Sequence, residues 1–238
     1  MSWWRSKRHI IRLAFLLNLL CAAAVIPICA AGAYGSTPIV YQGEGSEPRI
    51  ALTFDDGPHP QYTAEILDIL AEYDVRATFF VIGENAERCP QLLEREVAEG
   101  HEIGNHTQTH PLRDLPREQM EAEISACEAT VGEWIDRRMH LFRPPGGILS
   151  QAVMTLAESR RYRVILWSID TRDWAHTPVE QITKTVLDEV GAGDIILMHD
   201  GIESQSPTPS ALRILIPELL ARGYRFVTVS ELLEGNDG

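Results

Sequence analysis

The sequence predicts an α/β fold, an irregular barrel of mainly parallel strands wrapped by helices, with its polar chemistry gathered on one rim. Three observations predict it. From Arg49 onward, short β-branched runs alternate with helical stretches of roughly ten to fifteen residues. No glycine-rich phosphate loop follows the first strand run, where TFDDGP stands instead, and this favours a barrel over a doubly wound nucleotide-binding sheet. The unusual polar residues fall at the C-terminal ends of the strand runs, which share one face in a parallel barrel.

The first 33 residues stand apart from this rhythm. Arg5, Lys7, Arg8 and Arg12 precede the apolar run LAFLLNLLCAAAVIPICA, which leads into Ala31-Gly32-Ala33, and residues 13–43 carry no charge. A basic start, an apolar middle and a small-residue end describe a secretory signal peptide. An uncleaved membrane anchor is the alternative, because the uncharged run is long enough to span a bilayer. Pro27 and the Ala/Gly tail favour cleavage. Leu20 and Ile28, large residues ahead of Cys21 and Cys29, argue against a lipid anchor. Either way the rest of the chain is expected to be extracytoplasmic, secreted or anchored to the outer face of the cytoplasmic membrane. Residues 34–48 contain Gly, Ser and Pro without a pattern and read as a linker; residues 49–238 read as one domain.

The strand runs are IALTF (50–54), ATFFVIG (77–83), HEIGNH (101–106), LFRPP (141–145), RVILWSID (163–170), DIILMHD (194–200) and RFVTVS (225–230). Helices are expected over 63–73, 90–99, 117–135, 151–160, 179–190 and 209–222. The first shows the helical period well: Ile66, Leu67, Ile69 and Leu70 are apolar among Glu65, Asp68 and Glu72. Gly100 and Gly223 stand where helix caps belong.

Each rim position suggests a chemistry. Asp56, His106 and His110 supply one carboxylate and two imidazoles, a three-ligand set suited to Zn²⁺ with a coordination position left for water. The two histidines are four apart and would share a face if the stretch turned helically, although H-x-x-x-H also occurs on solvated loops. A bound Zn²⁺ lowers the pKa of its water to about 7, and Asp55 can take the proton as general base. Neighbouring side chains on a strand point to opposite faces, so the strand must twist or end between Asp55 and Asp56, and Gly57-Pro58 fits such an ending. His199 can act as general acid, with Asp173 orienting its ring; Arg143 can pair with Asp55 and hold it ionised; Trp174 can floor a sugar groove.

With these residues in view, the chain resembles the polysaccharide deacetylase family (NodB homology domain, carbohydrate esterase family four). Five motifs carry the resemblance in order: TFDDGP (53–58), HTQTH (106–110), RPPGG (143–147), DTRDW (170–174) and LMH (197–199). The resemblance implies a distorted (β/α)7-type barrel with its active site at the C-terminal ends of the strands, a divalent metal, zinc first with cobalt, nickel or manganese as substitutes, and removal of acetyl groups from N-acetylated sugars. It implies Asp55 as base, Asp56, His106 and His110 as metal ligands, Arg143 as support for the base, Asp173 as the partner of catalytic His199, and Leu197 and Trp174 as walls of the acetyl and sugar pockets. Gly146 departs from the family, which commonly has an aromatic residue there; its backbone N–H is kept for the oxyanion, and the side-chain wall beside the sugar is lost.

Hydrophobic residues make up 45% of the 238 residues and charged residues 23%, enough for one sizeable core. Without the first 33 residues, 17 Lys and Arg face 34 acids, a balance that argues against a nucleic-acid partner. Cys89 and Cys127 lie outside the leader and are open to two readings, a disulfide of an exported protein or two buried thiols. The expected partner is a polysaccharide, peptidoglycan first and chitooligosaccharide second, met by a monomer that touches membrane only through an uncleaved N-terminal segment. An O-acetyl xylan esterase would use the same chemistry. A glycosidase needs two carboxylates flanking a bond and has no use for HTQTH, and a metal-dead carbohydrate-binding relative would lack Asp56 or one of the histidines.

Overall fold

The computed structural model describes residues 39–202 and 204–234; the expected signal or anchor segment, 1–33, lies outside them. In chain order the elements are β1 (Ile39–Val40), β2 (Arg49–Asp55), α1 (Tyr62–Glu72), β3 (Thr78–Val81), α2 (Gly83–Arg88), α3 (Pro90–Ala98), β4 (Glu102–Asn105), α4 (Arg117–Gly132), β5 (Leu141–Phe142), α5 (Gln151–Arg160), β6 (Arg163–Ile165), β7 (Ile169–Asp170), α6 (Val179–Glu189), β8 (Ile195–His199), α7 (Thr208–Ala221), β9 (Arg225–Phe226) and α8 (Val229–Leu233). The strands form one curled sheet in the order β1-β6-β5-β4-β3-β2-β8-β7, with β9 beside the start of β2. Its strand pairs are parallel. Among the described residues no helix is long and apolar enough to cross a membrane.

Strand β2 lies in the middle and is buried along its whole length, as a strand of a parallel sheet covered on both faces must be. Its side chains divide by the two-residue period. Ile50, Leu52 and Phe54 join the large core between sheet and helices, while Ala51 packs inside the curl with Phe80, Leu141, Ile165 and Ile195. Val229 and Leu232 of α8 complete that inner cluster. Register places Asp55 opposite both Phe80 and His199, and Val81 opposite Asn105. The strand ends therefore align, and the residues just beyond them meet on one rim.

Four sequence expectations change here. The run RVILWSID is two strands: β6 pairs with β5 and β1, whereas β7 pairs with β8. The chain crosses from one side of the curl to the other at Leu166–Ser168, where Leu166 N–H donates to Val40 and Ser168 N–H to Ile195. The expected linker enters the sheet, because the edge of β6 needs a partner and Ile39–Val40 supplies it; Gln42 bridges to Asp194 on the far side. The run RFVTVS stops as a strand at Phe226, since Thr228 accepts from Glu231 N–H while its own N–H donates to the Glu231 carboxylate, a capping box that starts α8. Helix α2 begins at Gly83, the last residue of the expected strand run 77–83, and continues through residues 84–88, for which no element is expected. The remaining six helices lie within a few residues of their expected spans. Cys89 and Cys127 are free and buried; the Cys127 thiol donates to the Val81 carbonyl, and burial pushes its pKa up to about 12.

Candidate active site

Strand β2 ends at Asp55, and Asp56 adopts φ +75, which turns its side chain to the same rim as Asp55. The turn is held from three sides. Asn85 donates to the Asp56 carbonyl, and Asp200 and Gly201 N–H both reach the Asp55 carbonyl. A Cβ on Gly57 would lie 1.9 Å from Asp200 Oδ2, so any larger residue would have to displace that carboxylate. Asp200 is buried, accepts from Thr63 Oγ1 at 2.5 Å, and is pushed by burial to a pKa of about 7. Burial also raises its neighbour Glu96 well above the carboxylate range.

His106 and His110 are brought together by a loop. Thr107 and His110 have φ of +71 and +56, the opposite sense to a helix, so of the two readings open for H-x-x-x-H the structure takes the loop. Asn105 Oδ1 accepts from Thr107 N–H, and Thr107 Oγ1 accepts from His110 N–H. Glu123 on α4 takes three hydrogen bonds from residues between the histidines: Gln108 N–H, Thr109 N–H and Thr109 Oγ1, at 3.0, 2.9 and 2.8 Å. Nothing in the local sequence marks Glu123; only the packing of α4 against the loop brings it there.

The donor set fits a divalent cation. One ligand atom from each of Asp56, His106 and His110 lies within 4.8 Å of the others. Both Nε2 atoms face Asp56 Oδ1, at 3.4 and 3.2 Å, and that oxygen is buried without a hydrogen-bond partner. His106 Nδ1 donates to the Arg143 carbonyl at 2.7 Å, which leaves its Nε2 lone pair for a metal. Burial raises the Asp56 pKa, but His106, His110 and His199 outweigh it and hold the group at about 2. Burial lowers His110; at His106 the same effect is overcome by Asp55 and Asp56, and its pKa is raised.

Arg143 is fully buried inside the curl. Its Nη1 donates to Asp55 Oδ1 at 2.6 Å and to Thr53 Oγ1 at 2.9 Å; Nε and Nη2 donate to the Ile165 and Leu166 carbonyls. The guanidinium also lies 4.1 Å from the Phe80 ring centroid. A buried cation with this many partners is locked in place, and so is the carboxylate it grips. Opposite, His199 Nδ1 donates to Asp173 Oδ1 at 2.7 Å. Burial disfavours the charged ring, but Asp173, then Asp55 and Asp56, outweigh it and raise the His199 pKa to about 9.

A cavity of about 430 Å³ lies over these groups, lined by Asp55, Asp56, His106, His110, His199, Leu197, Gly146 and Trp174. Eight of the ten expected site residues thus meet in one cavity; Arg143 and Asp173 stand behind it. Gly146 adopts the left-handed conformation, φ +60, in the turn after Pro145, and a side chain there would press on Leu112 Cδ2 at 3.3 Å. Leu112, Trp167 and Asp170 line the same cavity. Sequence reasoning assigned them no role, although Leu112 lies two residues after His110 and Asp170 opens DTRDW.

The family model for polysaccharide deacetylase matches residues 42–165. A peptidoglycan-N-acetylglucosamine deacetylase of Bacillus cereus is 44% identical over 198 residues, covering 82% of this chain and 92% of that protein. A chitooligosaccharide deacetylase of Sinorhizobium fredii is 43% identical over 197 residues, covering 74% and 88%. Among solved structures, the Bc1960 peptidoglycan N-acetylglucosamine deacetylase superposes with a TM-score of 0.79 at 33% identity, covering 83% of this chain and 94% of that one.

Proposed function

The chain belongs to the polysaccharide deacetylase family, and from that premise we propose that it hydrolyses the acetamide of N-acetylglucosamine units in peptidoglycan, releasing acetate and leaving a free amino sugar. The observation that carries the reading is the meeting of an Arg-held carboxylate, an Asp-His-His donor set and an Asp-held imidazole around one cavity. Zinc is the proposed metal, with cobalt, nickel or manganese as substitutes, held by Asp56, His106 and His110. When bound it supplies Lewis acidity and lowers the pKa of a water to about 7.

The chain's own residues do the rest. Asp55, kept aimed by Arg143, takes the proton of the attacking water. The Gly146 N–H donates to the carbonyl oxygen as it gains charge. His199 gives its Nε2 proton to the departing nitrogen, and Asp173 behind it stabilises the ring in the charged form. Leu197 borders the acetyl group, and Trp174, half-exposed at the rim, offers a sugar ring an apolar face.

Chitooligosaccharide is the second reading, favoured by the 43% identical relative. A panel of peptidoglycan, chitooligosaccharides and acetylated xylan, scored by acetate release with and without chelator, tests the proposal. Peptidoglycan should be the best substrate and chelator should abolish turnover. Faster turnover of chitooligosaccharide or xylan would overturn the substrate, and chelator-resistant turnover the metal. Export, by a cleaved signal or an anchor, is the proposed route to that substrate.

A further inference from the structure

The His199–Asp173 pair has a third partner. Asp173 is fully buried and receives four donors. Its Oδ1 accepts from His199 Nδ1 and Trp174 N–H; its Oδ2 accepts from His199 N–H at 2.7 Å and Thr208 Oγ1 at 2.6 Å. Three of these donors belong to the histidine itself or to the neighbouring residue. Thr208 alone reaches in from another element, the first position of α7, and it too is fully buried.

Helix capping does not explain a threonine there. The residue preceding the helix is Pro207, no side-chain cap hydrogen bond is made, and the Thr208 N–H is met by Ser206 Oγ. Valine would fill the same volume. What threonine adds is one hydroxyl, and that hydroxyl is spent on Asp173. The terminal torsion of an aspartate is broad and roughly two-fold, so an outside donor narrows the plane of the carboxylate and with it the plane of the imidazole that Oδ1 holds.

We propose that Thr208 is a positioning residue for the deacetylation: its hydroxyl fixes the Asp173 carboxylate, and through it aims His199 Nε2 at the departing nitrogen. The proposal rests on His199 being the general acid. The other charged groups facing the His199 ring are Asp55 and Asp56 from the end of β2 and His110 from the HTQTH loop, and none of them is altered in the test.

The test compares Thr208→Val, Thr208→Ala and Thr208→Ser with the wild-type holoenzyme on a chitooligosaccharide. Val and Ala should lower kcat about tenfold, the scale of one hydrogen bond to a charged group, with KM and metal content unchanged. Ser should restore kcat to within about twofold, the error allowed for its missing methyl. In ¹⁵N-labelled metal-free protein, the downfield Nδ1–H resonance of His199 should broaden in Val and Ala and stay sharp in Ser. Wild-type kcat in both Val and Ala, or a Ser variant as slow as Ala, would overturn the assignment. The Ala variant keeps the test decisive if Val fails to fold. His199→Ala separates the two layers: if it keeps activity, the general-acid reading itself falls; if it is inactive while Val and Ala are normal, only the role of Thr208 falls.

Discussion

Asp55 and Asp56 are adjacent in sequence and divided in task by one backbone angle. Asp55 closes a strand and is gripped by Arg143; Asp56, at φ +75, faces two imidazoles. Asp55→Asn keeps the shape and removes the base, so kcat should fall by at least about a hundredfold while elemental analysis still finds the metal. His106→Ala should do the reverse at the first step and lose the metal. The identity of these residues was legible in the sequence, because each is the polar end of an apolar run. Their partners were legible only in part. Arg143 was expected beside Asp55, yet its depth was not: it is a fully buried cation held by two backbone carbonyls, Thr53 and Asp55, 88 positions from the last of these.

At the scale of elements, the metal-ligand loop is held by a helix. Glu123 of α4 satisfies two N–H groups and one hydroxyl between His106 and His110. Glu123→Ala should weaken metal binding by about 10- to 100-fold, the range seen when partners of metal ligands are removed; competition against a chromophoric chelator measures it. A second element-scale prediction concerns His101, just ahead of β4. Burial lowers its pKa to about 4, and its Nδ1 accepts from Ala77 N–H. The folded protein then binds fewer protons than the unfolded chain between the ordinary histidine value, about 6.5, and about 4, so this group's stability is lost as pH falls through that window. His101→Asn keeps an acceptor near Ala77, and its melting temperature should drop less steeply over the same range. Sequence periodicity identified most helices because amphipathic spacing is a local property. It missed α8 because a Val-rich run outweighed the Thr228–Glu231 capping box.

Across the whole molecule, the curl is a column read from base to rim. Val229 and Leu232 plug the base; Ala51, Phe80, Leu141, Ile165 and Ile195 fill the middle; Arg143 and Thr53 carry the column to Asp55 and the cavity. The apolar floor keeps water from the Arg143–Asp55 pair, which makes that contact stronger than it would be in solvent. The sequence by itself determined the alternation of strands and helices, the rim on which chemistry would gather and the residue types that form it, because periodicity and strand-end motifs are local signals. Only the tertiary structure decided that residues 39–40 complete the sheet, that α8 closes its base, that Cys89 and Cys127 stay apart as thiols, and that Glu123 and Thr208 brace the loop and the acid. Those contacts join residues from separate elements, and packing of the elements against one another, rather than any local preference, selects them.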